Sequence, residues 1–275
     1  MKKYITILVS SLIIISGGCN NAEKEANKRL EQARINLENN DFFAARNEID
    51  SIRKFYPKEY KILKEALTVM RQIDIKEAKR NIAYCDSLLP IRQQELENMK
   101  KDFKFEKDSL YETIGNYIWK YQTIERNVER CYIRSGVNEH GEMYLASVYY
   151  GAKPIEHTGI KLSTPDGTFV ETPEIAYDGG NNYRFSNLGN TTEVVTYKAE
   201  KGENAIKFIY DNANNRIKVE YLGGKPYIIY IADADKKALV ATYNLAVVLN
   251  DIYKMTTARE NALKRIEYLN NKLNS

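Results

Sequence analysis

The apolar residues of this 275-residue chain change period twice, and that double switch restricts the fold more than any other feature. Up to Cys131 they recur at steps of three and four. Across residues 132–232 they alternate, and from Asp235 the helical spacing returns. A helix gathers one apolar stripe every 3.6 residues, whereas a strand turns alternate side chains to opposite faces. A chain that does one, then the other, then the first again is expected to be α+β, with a β domain inserted between helical segments.

The first helical stretch, residues 26–89, opens as a hairpin. Leu30, Ala33 and Leu37 share one face; Asn39-Asn40-Asp41 break the pattern; Phe42, Ala45, Ile49, Ile52 and Phe55 form a second stripe that closes at Tyr56-Pro57. Asp41-Phe42, Ala45 and Pro57 stand at the turn, small-residue and closing-proline positions of a tetratricopeptide repeat, which the hairpin resembles. The first helix lacks that family's aromatic and glycine. Repeat arrays need about three units for stability, so a single hairpin followed by one more helix implies a cap rather than a solenoid.

Pro90 is expected to turn the chain. Beyond it, residues 90–131 carry Leu96, Met99, Phe103, Leu110, Ile114, Tyr117, Tyr121, Ile124, Val128 and Cys131 in a heptad rhythm, with one slot lost at Glu106 or Lys107. Such spacing keeps a seam against a partner helix. Residues 233–275 supply the matching stripe of Leu239, Tyr243, Ala246, Tyr253, Ile266, Leu269 and Leu273. The two segments are expected to form a long antiparallel coiled-coil pair, a stalk.

Within residues 132–232, Pro165-Asp166-Gly167 separates Ile160-Lys161-Leu162 from Thr168-Phe169-Val170, a hairpin signal because glycine accepts positive φ. Alternation predicts further strands at Glu142–Tyr150, Tyr183–Phe185, Glu193–Lys198 and Tyr227–Ile231, and a pair at Ile206–Tyr210 and Ile217–Tyr221 joined by Asn212–Asn215. The expected architecture is an antiparallel β-sandwich or small barrel.

The first residues carry an address. Lys2 and Lys3 precede an apolar run from Ile5 to Ile15, followed by Ser16-Gly17-Gly18-Cys19. That run is too short to span a bilayer, which takes roughly 20 residues, but suits a secretory leader. The segment resembles a lipobox, with Ser16 where Leu is usual. The resemblance implies a signal peptide over residues 1–18, lipidation of Cys19 and a linker over residues 19–25. Asn20, where inner-membrane retention uses aspartate, implies the outer membrane. Taken with Asp50-Ser51-Ile52, Asp86-Ser87-Leu88 and Asp108-Ser109-Leu110, the chain resembles the envelope lipoproteins of Gram-negative anaerobes. Those triplets are similar to O-glycosylation acceptors, which implies modification at Ser51, Ser87 and Ser109.

Of 41 basic and 37 acidic side chains, two basic ones lie in the leader, leaving a near-neutral body with no case for a nucleic-acid partner. Chemistry-bearing residues are sparse. The two histidines, His140 and His157, have no ligand partner at helical or strand spacing, so both are expected on the surface and no metal or cofactor is implied. No nucleophile elbow, zinc-protease motif or phosphate loop occurs, so an enzyme is not expected. A dispersed hydrolase site would require a histidine and carboxylates to converge from distant strands. Cys85 and Cys131, about 60 Å apart along the expected helix at 1.5 Å per residue, are expected to be free, buried thiols. Asp235 is expected to cap the last helix. Tyr149, Tyr150, Tyr177 and Tyr183 are the candidate recognition surface. The leading expectation is therefore a membrane-anchored, non-enzymatic lipoprotein presenting its β domain to another envelope protein. The alternative is a carbohydrate- or small-ligand-binding lipoprotein, with its pocket in loops such as Asp178–Asn182.

Overall fold

The computed structural model describes residues 18–107, 110 and 113–274. Residues 1–17 of the expected leader, the side chain of Cys19, and Ser109 lie outside the described residues. The fold is α+β, with N-terminal helices and antiparallel sheets, and it divides into two compact units. One comprises residues 1–85 with 258–275, the other residues 86–257.

In the first unit, α1 (Gly18–Glu38) and α2 (Phe42–Phe55) form the expected hairpin. Residues 19–25 belong to α1 rather than to a linker, because Ala22 to Glu25 favour helix and Ala26 anchors the turn in the core. Asn40 takes φ +59 at the corner, a conformation asparagine tolerates. Asp41 caps α2, its Oδ1 accepting the Ala44 N–H at 2.9 Å, an arrangement worth about 1 kcal/mol. Leu30, Ala33 and Leu37 meet Ala45, Ile49 and Ile52, and Ile62, Ala66, Val69 and Ile73 of α3 (Tyr60–Met99) complete that core. Phe55, read as part of the stripe, is exposed.

The proline expectation fails. Helix α3 runs through Pro90 without a break. An interior proline forfeits a backbone bond and costs about 3 kcal/mol, so contacts must hold the far side in place. Leu96 supplies one, buried among Val137, Leu245 and Leu249.

The expected coiled-coil helix over residues 90–131 is likewise corrected, since beyond Met99 the chain becomes sheet. Strand β1 (Phe103–Glu106) pairs antiparallel with β2 (Asn116–Trp119), and β2 with β3 (Tyr132–Asn138). Phe103-Lys104-Phe105-Glu106 alternates with period two, and aromatic and β-branched residues dominate Tyr117-Ile118-Trp119. The slot missing from the heptad at Glu106 or Lys107 falls where β1 ends. Leu110, an expected seam residue, is 83% exposed, and Ile124 and Val128 are also exposed.

The final helix forms over the expected segment, as α5 (Asp233–Asn274). Two of its ion pairs are with α3. Arg265 meets Asp74 at 2.8 Å in the first unit, and Arg92 meets Asp251 at 3.1 Å in the second.

The second unit adds β4 (Met143–Gly151), β5 (His157–Ser163), β6 (Phe169–Glu171), β7 (Asn182–Asn187), β8 (Asn190–Lys198), β9 (Lys218–Gly223) and β10 (Tyr227–Tyr230). One sheet has the order β1-β2-β3-β4-β8-β7, the other β10-β9-β5-β6. The β5–β6 hairpin forms as expected, with Gly167 at φ +90. Ile206–Tyr210 is not a strand but part of a helix, α4 (Glu200–Asp211). Ala205, Ile206 and Ile209 fit helical spacing as well as alternation, and Glu200 and Glu203 favour a helix start. Both sheets feed one core: Ile133, Leu145 and Val195 from the first, Ile160, Leu162 and Val219 from the second, with Ile209 and Leu239 from the helices.

Candidate functional site

The four tyrosines proposed as a recognition surface do not converge. Tyr149 points into the core, 6% exposed, its hydroxyl donating to the Lys153 carbonyl and its ring edge-on to Tyr221 and Tyr227. Tyr150 lies on the opposite face of β4 and is half-buried, with its backbone bonded to the Cys131 thiol. Tyr183 shares that outer face. It packs on Tyr132, Val148 and Val194 and stacks with the exposed Phe185. Tyr177 is exposed, with the Arg184 guanidinium 4.9 Å from its ring centre. Only Tyr150 and Tyr183 of the four share a face, and Phe185 belongs with them: Tyr150 and Phe185 both pair with Thr192.

The loop suggested for a pocket is closed on itself. The Asp178 carboxylate accepts the Gly180 and Asn182 N–H groups at 2.8 and 2.9 Å. Those bonds hold its pKa below the usual aspartate value. Ser51 donates to the Asn47 carbonyl within α2, and Ser87 is exposed in the middle of α3 rather than beside a turn. Both Cys85 and Cys131 are free; Cys85 is buried and Cys131 only half-buried. Asp235 does not serve as an end cap. It sits buried in the first turn of α5, where it accepts the Arg130 guanidinium and the Gln122 amide.

The surface expectation for His157 is overturned. Its ring is enclosed, with 2% of the residue exposed, between Ser147 of β4 and Glu193 of β8. Ser147 Oγ lies 3.0 Å from Nε2, and Nδ1 lies 2.8 Å from Glu193 Oε2. A carboxylate only accepts, so Nδ1 carries the proton and Nε2 faces the hydroxyl. Glu193 also accepts the backbone N–H groups of Ile155, Glu156 and His157, at 2.8, 2.8 and 3.0 Å. Burial alone raises a carboxyl pKa, but these four donors outweigh it and bring Glu193 to about 2. The order serine–histidine–carboxylate is that of a hydrolytic triad. Here the serine is fully buried, and its hydroxyl also meets the Tyr197 hydroxyl at 3.3 Å, so no substrate reaches it. The array fastens the segment before β5 to the six-stranded sheet. The signal that finds it is a polar residue in a core-facing slot: Ser147 between Leu145 and Tyr149, and Glu193 in phase with Val195 and Tyr197.

His140 has a different setting. It stacks on Tyr253 of α5 at 4.1 Å, in the loop joining β3 to β4. Among the described residues no three His, Cys, Asp or Glu side chains gather as a metal site would require.

One concave feature of this unit is a cavity of about 660 Å³ bounded by β4, α4 and α5. Met143, Ile206, Tyr243, Ala246 and Val247 give it apolar walls; Asn116, Asn138 and Asn250 bring amides, and Glu142, Lys198, Glu200, Glu203 and Lys207 bring charge. Two backbone positions that side chains resist lie at its edge. Ala199, which precedes α4, has φ +50 and ψ −137, a region costly to a residue with a Cβ. Gly141 has φ +83, and a Cβ there would stand 2.5 Å from the Ala246 carbonyl oxygen. Sequence reasoning missed this cavity because it read α4 as a strand and residues 114–116 as helix.

No family model matches the chain, and no curated protein or solved structure matches it either.

Proposed function

We propose that this chain is a non-enzymatic envelope lipoprotein, anchored through Cys19 and facing the periplasm or the exterior from the outer membrane, whose β-bearing unit binds a small ligand. The observation that carries the reading is the cavity between β4, α4 and α5. At about 660 Å³ it falls within the roughly 300–1,000 Å³ typical of small-molecule sites, and it combines apolar walls with polar and charged groups. The two sheets are the faces of an open antiparallel sandwich rather than a closed barrel, a reading supported by the edge strands β1, β7, β10 and β6.

The test is a thermal-shift screen of sugars and short peptides on the mature chain and on Val247→Trp. Val247 is partly exposed on the cavity wall, so an indole there fills space without disturbing the core. A ligand present at about 100 times its Kd stabilises the folded state by roughly 2.7 kcal/mol, a shift of several degrees. That shift is expected in the wild type and absent in Val247→Trp, with the unliganded melting temperatures alike. Stabilisation that survives the substitution would place the ligand elsewhere.

A second reading, docking of an envelope protein, is favoured by one observation. The outer face of edge strand β7 presents Tyr183 and Phe185, and the turn that follows presents Leu188, which is 91% exposed. An edge strand also offers unpaired backbone groups to a partner strand.

A further inference from the structure

Resting on the lipid anchor at Cys19, we infer that the corner between α2 and α3 is a second membrane contact, lying on the anionic headgroups of the leaflet that holds the lipid. The corner belongs to the anchored end of the first unit. Helices α1 and α2 run antiparallel, and Arg29 meets Glu48 across them at 2.9 Å. Measured along the two axes from that pair, at 1.5 Å per residue, Cys19 is about 15 Å away and Phe55 about 10 Å, both towards the same end. Tyr56-Pro57 then turns the chain into α3, which begins at Tyr60.

Two properties of this corner suit a phospholipid headgroup layer. One is charge. Residues 53–64 carry Arg53, Lys54, Lys58, Lys61 and Lys64 against a single acid, Glu59, and the basic excess survives when Asp50 and Glu65 at the borders are counted. The opposite corner of the same hairpin, residues 36–45, carries Glu38 and Asp41 and no basic residue. The hairpin is therefore polarised along its axis, positive at the anchored end. The other property is aromatic exposure. Phe55 is 60% exposed and Tyr60 78%, one on each side of the turn, and the Lys54 ammonium stands 5.4 Å from the Phe55 ring centre. Water gains nothing from these rings, but a headgroup layer takes up the ring and the lysine stem while leaving hydroxyl and ammonium with phosphate and water. Phe43 shows that the pairing matters. It is 77% exposed at the acidic corner, where no basic side chain accompanies it. Acyl chains on Cys19 hold the protein to the bilayer without fixing its lean. Basic side chains are drawn to an anionic surface over about a Debye length, roughly 8 Å at physiological salt. The corner stands within that distance of the level of Cys19, so it sets the lean.

The experiment uses the full lipidated chain, purified from its native host and reconstituted into vesicles of phosphatidylethanolamine and phosphatidylglycerol. The acyl chains are brominated near the headgroup, where bromine quenches a nearby indole. Tyr60→Trp and Phe43→Trp report on the two corners, with the wild type subtracting the signal of Trp119. Both sites are exposed, so neither change threatens the core. Expected is quenching of Tyr60→Trp at least threefold stronger than of Phe43→Trp. That quenching should fall by half or more when phosphatidylcholine replaces phosphatidylglycerol, and likewise when Lys58→Gln, Lys61→Gln and Lys64→Gln are added. The mass of the amino-terminal peptide is read on the same samples. Acylated protein whose two corners are quenched equally, or not at all, overturns the inference while the anchor stands, and leaves the corner to an acidic protein partner. Quenching of Tyr60→Trp that ignores both lipid charge and the three lysines overturns it as well. An amino terminus without acyl chains defeats the anchor proposal and the inference together.

Discussion

At the residue scale, the Glu193 carboxylate shows how one buried charge is made tolerable and what it then controls. Its pKa is depressed to about 2 in the folded chain from an ordinary 4.5. A depressed carboxylate contributes stability above its unfolded pKa and loses it as pH falls through the folded one, so the window here is pH 4.5 to 2. The full shift corresponds to about 3 kcal/mol, of which about 2 kcal/mol is gone by pH 3. Urea unfolding should therefore show wild type and Glu193→Gln drawing closer by about 2 kcal/mol between pH 7 and pH 3; a constant gap would mean the carboxylate is not held as the geometry implies. Leu188 is the opposite case, a residue poorly suited to its place. It sits at φ +47 beside Gly189 at φ +79, the two-residue turn between β7 and β8, where asparagine is preferred. Leu188→Asn should raise stability by about 0.5–1 kcal/mol in thermal unfolding, and a loss would show that the leucine is held by a contact. Neither feature is hidden in principle: Ser147, His157 and Glu193 interrupt apolar alternation. No single strand, however, reveals that three interruptions meet.

At the element scale, what was legible depended on length. The α1–α2 hairpin, the long final helix and the β5–β6 hairpin follow from patterns that persist over many residues or from a turn with one chemical solution. Short runs misled. Phe103, Tyr117 and Ile118 satisfy a heptad when joined by an imagined helix, yet each belongs to a four-residue strand with its own alternation. Ile206, Phe208 and Tyr210 alternate over five residues, too few to separate a strand from the buried face of α4. Pro90 misled for a different reason. A proline signals a break locally, and only the contacts of Leu96 beyond it show why α3 continues. Because Pro90 is exposed, its replacement by alanine restores a backbone bond at no packing cost. Pro90→Ala should raise stability by about 2 kcal/mol in urea unfolding; a decrease would indicate that the ring itself packs.

At the scale of the whole molecule, each unit has its own core, and the proposed site lies within one of them. The cavity joins residues from the β2 region to the middle of α5, so it exists only once the sheet and both helices are in place. That is why a reading confined to local pattern looked for a pocket in loops such as Asp178–Asn182 and not at this cavity. The address stands apart from the fold. Cys19→Ser should move the protein from the membrane to the soluble fraction, and retention on the membrane would defeat the lipid-anchor proposal. The most direct measurement of the central claim is native mass spectrometry of the wild type and of Val247→Trp, each purified from the native host. The wild type should retain a discrete small ligand that Val247→Trp lacks; the same ligand on both, in equal amount, would contradict the claim that this cavity is the binding site.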